Sequence, residues 1–136
     1  MQNMFIGKGN LGTSPSLKRI SGRSGEDFDV ATMRVMFARY GQDDNGEPKQ
    51  TGGFWREVEI YGAKAKSCAE LLRKGARVLV LGEEREFMAK DENGHEVQVF
   101  KIVADDVALQ LTRVKSIVFQ EPSQRHANAQ DEAQAA

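Results

Sequence analysis

In the run Phe54-Trp55-Arg56-Glu57-Val58-Glu59-Ile60-Tyr61, polarity changes at every step from Glu57 to Ile60. This period of two, in a run rich in aromatic and β-branched residues, fits a strand with one wet face. Residues an even number apart share a strand face. Val58 and Ile60 therefore point toward a core, and Trp55, Glu57, Glu59 and Tyr61 point toward solvent. Two large rings on a wet face need something to cover them. Unpaired bases stack on such rings, because every base offers a π-face. Burial under a loop or against another subunit would serve equally well.

The flanking segments are strand-like too. Met4–Leu11 forms a first strand, ended by Gly12 and the Ser14-Pro15 turn, and Leu17–Ile20 continues it after a bend. Phe28–Tyr40 forms a long second strand, with Ala31, Met33 and Val35 on one face and Arg34, Met36 and Tyr40 on the other. Gln42–Gly53 is polar and holds Gly and Pro, so a loop or an extended hairpin tip is expected. After Gly62 the period changes. Ala65, Cys68, Ala69 and Leu72 fall at helical spacing, which predicts a helix over Ala63–Lys74 stopped by Gly75. Arg77–Met88, bent at Gly82, and His95–Val103 form a hairpin about Asp91-Glu92-Asn93-Gly94, with Val107–Leu111 as a short continuation. Five strands with one helix between the third and fourth is an all-β pattern, that of the OB-fold, a partly open Greek-key barrel. That fold binds oligonucleotides on its second and third strands, and the two outward rings sit on the third.

A chain of 136 residues is one domain. Residues 1–119 hold 18 Lys and Arg against 17 Asp and Glu, a net of +1, so nucleic-acid binding would need a local basic groove. Residues 120–136 carry a net of −2, lack large apolar residues and predict a disordered polar tail. No signal peptide and no membrane span are visible, and the single Cys68 allows no internal disulfide, which suits a reducing cytoplasm.

The ordered motifs resemble the bacterial single-stranded DNA-binding proteins. They are Gly9-Asn10-Leu11-Gly12 with Pro15, Val30-Ala31, Trp55-x-x-Val58-x-x-Tyr61-Gly62, Ala69-Glu70-x-Leu72-x-Lys74-Gly75, Val78-x-Val80-x-Gly82, and Asp91-x-x-Gly94. Together they cover most of residues 4–111. The resemblance implies sequence-independent protection of single-stranded DNA in replication, recombination or repair, by a cytoplasmic homo-oligomer, tetramer favoured and dimer possible. Met4, Phe5 and Ile6 offer apolar material for assembly. It further implies that bases stack on Trp55 and Tyr61, which match family aromatics directly. Tyr40 and Phe87 lie a little displaced from two others, and Lys74 matches a lysine at the helix end. Phosphates are then expected along Arg34, Arg56, Lys64, Lys74 and Arg85, with Arg56 weakest because it has the parity of the core face.

The chain also departs from the family. Glu57 and Glu59 put negative charge between the two rings, which disfavours phosphates there. Ala63 stands where the family often has lysine, with Lys64 following. Family members that recruit replication enzymes end in an acidic run and then Pro-Phe, whereas this chain ends Asp131-Glu132-Ala133-Gln134-Ala135-Ala136. The missing tip argues against recruiting replication or recombination proteins and fits an accessory copy from a mobile element or phage.

No catalytic constellation, metal pattern or cofactor motif is present. Cys68 lies on the apolar helix stripe, His95 in a hairpin and His126 in the tail, which is no zinc pattern. Asp105-Asp106 is most simply a solvated pair. Gly7-Lys8-Gly9-Asn10-Leu11-Gly12 matches a dinucleotide fingerprint in letters only, because Ser14-Pro15 prevents the helix that motif needs. Two alternatives stay open: a replication-restart adaptor of the OB type acting mainly through protein contacts, which the two glutamates favour, and an OB-fold enzyme subunit or tRNA-binding accessory.

Overall fold

Among the described residues seven elements follow in chain order: β1 (Met4–Leu11), β2 (Ser16–Ser21), β3 (Asp27–Gln42), β4 (Pro48–Tyr61), α1 (Ala63–Leu71), β5 (Arg77–Lys90) and β6 (Glu96–Leu109). The structure, a computed structural model, describes residues 3–122. The tail expected over 120–136 lies outside the described residues from 123 onward.

β1 closes the barrel because it has two partners. It runs antiparallel to β5 from Met4↔Glu83 to Asn10↔Arg77, and its last two residues also pair with β3, Asn10↔Met36 and Leu11↔Val35. β3–β4 and β5–β6 are antiparallel, and β4–β6 is parallel from Glu57↔Lys101 to Ile60↔Ala104. The ring β1-β5-β6-β4-β3 returns to β1. This is the all-β OB-fold barrel expected from the sequence, with its helix between the third and fourth barrel strands. The sixth strand is β2, which continues β1 after the bend at residues 12–15 and lies along β3 from Ser16↔Thr32 to Ser21↔Asp27.

The alternation that marked the strands fills the barrel. Val35, Val58, Ile60, Val78, Val80 and Ile102 are all buried. Each such side chain contributes roughly 1.5–3 kcal/mol when removed fully from water. α1 covers the core with Ala65 and Cys68. Phe5, Phe37 and Phe54 pack as a ring cluster, with centroids 4.9 to 6.3 Å apart. Phe5 is thus turned inward, and of the three apolar residues expected to serve assembly only Met4 and Ile6, 75% and 64% exposed, stand outside.

Gly82 marks a bulge, as its place in the strand suggested. The register passes from Leu81↔Asp106 to Gly82↔Ala104, leaving Asp105 unpaired, and a Cβ on Gly82 would lie 2.7 Å from the Ala104 Cα. The extra residue lies on β6, and Gly82 of β5 leaves room for the Ala104 backbone opposite it.

One expectation is resolved and one corrected. Gln42–Gly53, for which the sequence left open a loop or an extended hairpin tip, is the hairpin tip: β3 and β4 pair as far as Gln42↔Pro48. The turn is only Asp43–Glu47. Asp43 Oδ1 accepts the backbone N–H groups of Asn45 and Glu47, each at 2.9 Å, and Gly46 takes φ 78°. The Asp91 turn repeats the device, with Asp91 Oδ1 accepting from Asn93 and His95 at 2.9 Å and Gly94 at φ 79°. One carboxylate satisfies two turn donors, and glycine takes the left-handed position. The helix also ends earlier than expected, at Leu71. Leu72 is extended, and Lys74 lies in a following turn where Ala76 N–H donates to Arg73 O and Gly75 takes φ 91°.

Candidate nucleic-acid interface

Register places four strands' side chains on one outer face. Arg34 of β3 is opposite Glu57 of β4, Glu57 is opposite Lys101 of β6, and Lys101 is opposite Arg85 of β5. The next row holds Thr32, Glu59, Val103 and Glu83. Paired residues share a face. Trp55, opposite Met36, and Tyr61, opposite Val30, bracket these rows along β4. Trp55 is 42% and Tyr61 43% exposed, so the two rings flagged by spacing are surface rings, each with one side supported.

The support is specific. Trp55 lies against Gly12, where an added Cβ would come within 2.7 Å of Cη2. Gly12 is held by its N–H, which donates to Arg34 O at 2.7 Å, and the Arg34 guanidinium carbon sits 5.1 Å from the Trp55 ring centroid. Tyr61 leans on Phe28, with centroids 5.9 Å apart, and its hydroxyl donates to Glu59 Oε2 at 2.9 Å. Partial burial first, then the hydrogen bond to Glu59 and its charge, push the Tyr61 phenol above its ordinary value. The ring stays neutral at physiological pH.

Charges on this face are balanced. Glu57, Glu59 and Glu83 stand among Arg34, Arg85 and Lys101. Lys101 Nζ is 3.3 Å from Glu59 Oε1 and lies 5.4 Å from the Phe87 ring centroid. Arg85 Nε is 3.2 Å from Glu83 Oε1, and that contact raises the Arg85 pKa. Arg34 has no carboxylate within ion-pair distance among the described residues and rests over Trp55 instead.

The remaining sequence candidates divide. Phe87 is exposed on this face, opposite Val99 and two residues beyond Arg85. Tyr40 is exposed on the hairpin arm beyond the bulge at Arg39/Tyr40 and has the parity of Arg34 and Met36. Lys64, on α1, donates to Asp105 O at 2.9 Å and lies 3.7 Å from Asp106, so it ties the helix to β6. This also makes Asp106 a partner rather than a merely solvated charge. Lys74 lines a separate cleft. Arg56 is on the opposite face. It pairs across with buried Val35, stacks between Phe54 at 4.5 Å and Phe100 at 4.9 Å, and places Nε 3.6 Å from Glu84. Strand parity had already marked it as the odd one.

Lys101 and Gly12 escaped the sequence reading. Lys101 has the parity of Val97, Val99 and Val103, and this apolar alternation hides the wet face; the signal was its odd spacing from the buried Ile102. Gly12 was noted as a strand stop and as part of the Gly9-Asn10-Leu11-Gly12 motif, not as the seat of a ring.

Among the described residues no cluster of three His, Cys, Asp or Glu could hold a metal, and no helix is long and apolar enough to cross a membrane. Chemically, the face offers two supported rings for stacking by flat unsaturated groups, with cations beside them.

The model of the Single-strand binding protein family matches residues 1–110. A single-stranded DNA-binding protein of Xylella fastidiosa is 28% identical over 107 residues, which are 79% of this chain and 62% of that protein. One of Corynebacterium glutamicum is 30% identical over 116 residues, 84% of this chain and 49% of that protein. The chain thus spans about half to three fifths of the length of these curated relatives. The fold is similar to the crystal structure of a small single-stranded DNA-binding protein from Streptomyces coelicolor, with TM-score 0.70, 18% identity, 83% of this chain and 98% of that one. It is also similar to a Plasmodium falciparum SSB complex with ssDNA, with TM-score 0.62, 22% identity, 81% of this chain and 96% of that one.

Proposed function

Because the chain belongs to the Single-strand binding protein family, we propose that it binds single-stranded DNA without reading its sequence and protects it during replication, recombination or repair. The observation that carries this reading is the pair of half-exposed rings, Trp55 and Tyr61, each supported from one side on a continuous sheet face. Bases stack on these two rings, each worth roughly 1–3 kcal/mol, and the path extends toward Phe87 and Tyr40. Arg34, Arg85 and Lys101 neutralise phosphates; Arg56 is withdrawn from this role by its place on the other face. No catalytic role is assigned to any residue.

The unit that binds is residues 1–119. It works as a homo-oligomer, tetramer favoured, using the outer face of β1. Met4 and Ile6 are exposed there beside Leu79 and Leu81 of β5. Ile6→Glu should lower the mass seen by light scattering while the far-UV spectrum is kept.

The equal numbers of Glu and Arg/Lys on the stacking face favour a second reading, a replication-restart adaptor working mainly through protein contacts. Competition among single-stranded DNA, single-stranded RNA and duplex of equal length separates the two. Preference for the single strand by tenfold or more supports the first reading, and equal weak binding of all three supports the adaptor.

A further inference from the structure

The stacking face is short of free positive charge. Of its three cations, Lys101 and Arg85 are each ion-paired, to Glu59 and Glu83. Yet neutralised phosphates supply most of the affinity of sequence-independent nucleic-acid binding. Five cations gather elsewhere. After β6, residues 112–116 turn back beside the loop that joins α1 to β5, and the two segments enclose a cleft of about 470 Å³. Arg73, Lys74, Arg77, Arg113 and Lys115 line it, and among the described residues no carboxylate does. Among the described residues none of the five is in an ion pair; Arg77 donates to the neutral Asn10 Oδ1 at 3.0 Å.

The cleft adjoins the stacking face. Ser14 Oγ accepts the Lys74 N–H at 3.1 Å, and Gly12, two residues earlier, supports Trp55. Two residues of chain span at most about 7 Å. A strand stacked on Trp55 therefore has its next phosphates within reach of Lys74.

We propose that this cleft is a second phosphate-binding region, which takes the backbone of the single strand as it leaves Trp55 and supplies the electrostatic attraction that the balanced stacking face lacks. The proposal rests on the single-strand reading above and adds Arg73, Arg77, Arg113 and Lys115 to it. An acidic peptide is the other class of ligand that such a cleft could take. The continuity with Trp55 favours DNA.

The test uses the full chain and a labelled oligo-dT of roughly 35 nucleotides, longer than the 4–16 that one OB-fold holds. Anisotropy measures affinity across salt, and Trp55 quenching reports stacking separately. Arg113→Asn with Lys115→Gln removes two cleft charges. Asn suits residue 113, whose φ is 64°. Arg23→Gln with Lys66→Gln removes two exposed charges that lie outside the cleft, off the stacking face and off β1, and serves as control. At about −0.7 per phosphate, the cleft variant should have a salt slope about 1.4 shallower, so its affinity should fall about sevenfold less than the native chain's between roughly 50 and 200 mM salt. Trp55 quenching should persist. An unchanged slope, an equal change in the control, or loss of polyglutamate binding with DNA binding intact would each overturn the proposal. Absence of Trp55 quenching in the native chain would instead count against the parent reading, and the anisotropy slopes would still decide this one.

Discussion

Trp55 lies against Gly12 so closely that a Cβ on Gly12 would come within 2.7 Å of the indole Cη2. Gly12 is not held in the left-handed region, so what is required here is space and not backbone freedom. Gly12→Ala should therefore fold and displace the ring. We expect a shifted Trp55 emission maximum and a loss of oligo-dT affinity up to the roughly 1–3 kcal/mol of one stacked base. Native emission and affinity in this variant would show that the ring is not positioned by Gly12.

Glu59 occupies two groups that stacking and phosphate contacts would use. It accepts from the Tyr61 hydroxyl at 2.9 Å and holds Lys101 at 3.3 Å. Glu59→Gln frees Lys101 and removes a negative charge from the face. Single-stranded DNA should bind more tightly at low salt, with a slope steeper by about 0.7, one added phosphate contact. Weaker binding would mean that Glu59 serves chiefly to orient Tyr61.

Raised by burial and by Glu59, the Tyr61 phenol gives up its proton at higher pH in the folded state than in the unfolded chain. The folded state then holds more protons above the ordinary value of about 10, so stability is intact below that pH and declines as pH rises through it. Phenolate absorbance of the Tyr40→Phe variant should show Tyr61 titrating above the ordinary value, and adding Glu59→Gln should bring it back toward that value. A phenolate transition at the ordinary value in Tyr40→Phe, whose one tyrosine is Tyr61, would contradict this.

Cys68 is buried on the inner stripe of α1, and burial, then the Asp106 charge, push its thiol up. The thiolate is the reactive form. A thiol reagent at neutral pH should modify the native protein far more slowly than the urea-unfolded chain. Equal rates would place Cys68 at the surface.

Alternation made the barrel strands legible because each has one buried face, and period two cannot mark a helix. The parity of Trp55, Tyr61 and Arg56 also came out of the sequence alone. For Gln42–Gly53 the sequence left a loop and an extended hairpin tip both open, because Pro48–Thr51 is exposed at every position and shows no alternation. Yet Asp43-Asp44-Asn45-Gly46 repeats the Asp-x-Asn-Gly of the turn that was recognised at Asp91, and that repeat was the available signal. The site's third dimension was harder. The parallel pairing of β4 with β6, which brings Lys101 beside Glu57 and Glu59, joins residues over forty positions apart. No local pattern encodes it. The α1 end was overextended because Leu72 keeps helical spacing, although Gly75 N–H is needed by Leu11 O at 2.8 Å and draws the chain out of the helix.

The central claim is that a base stacks on Trp55, the lone tryptophan, beside cations that neutralise phosphates. The most direct measurement is a titration of the protein with oligo-dT, following Trp55 fluorescence at low and high salt with duplex of equal length alongside. Strong quenching by the single strand alone, weakened by salt, is the predicted result. Unchanged fluorescence under saturating single strand would contradict the account and leave Trp55 as a protein contact.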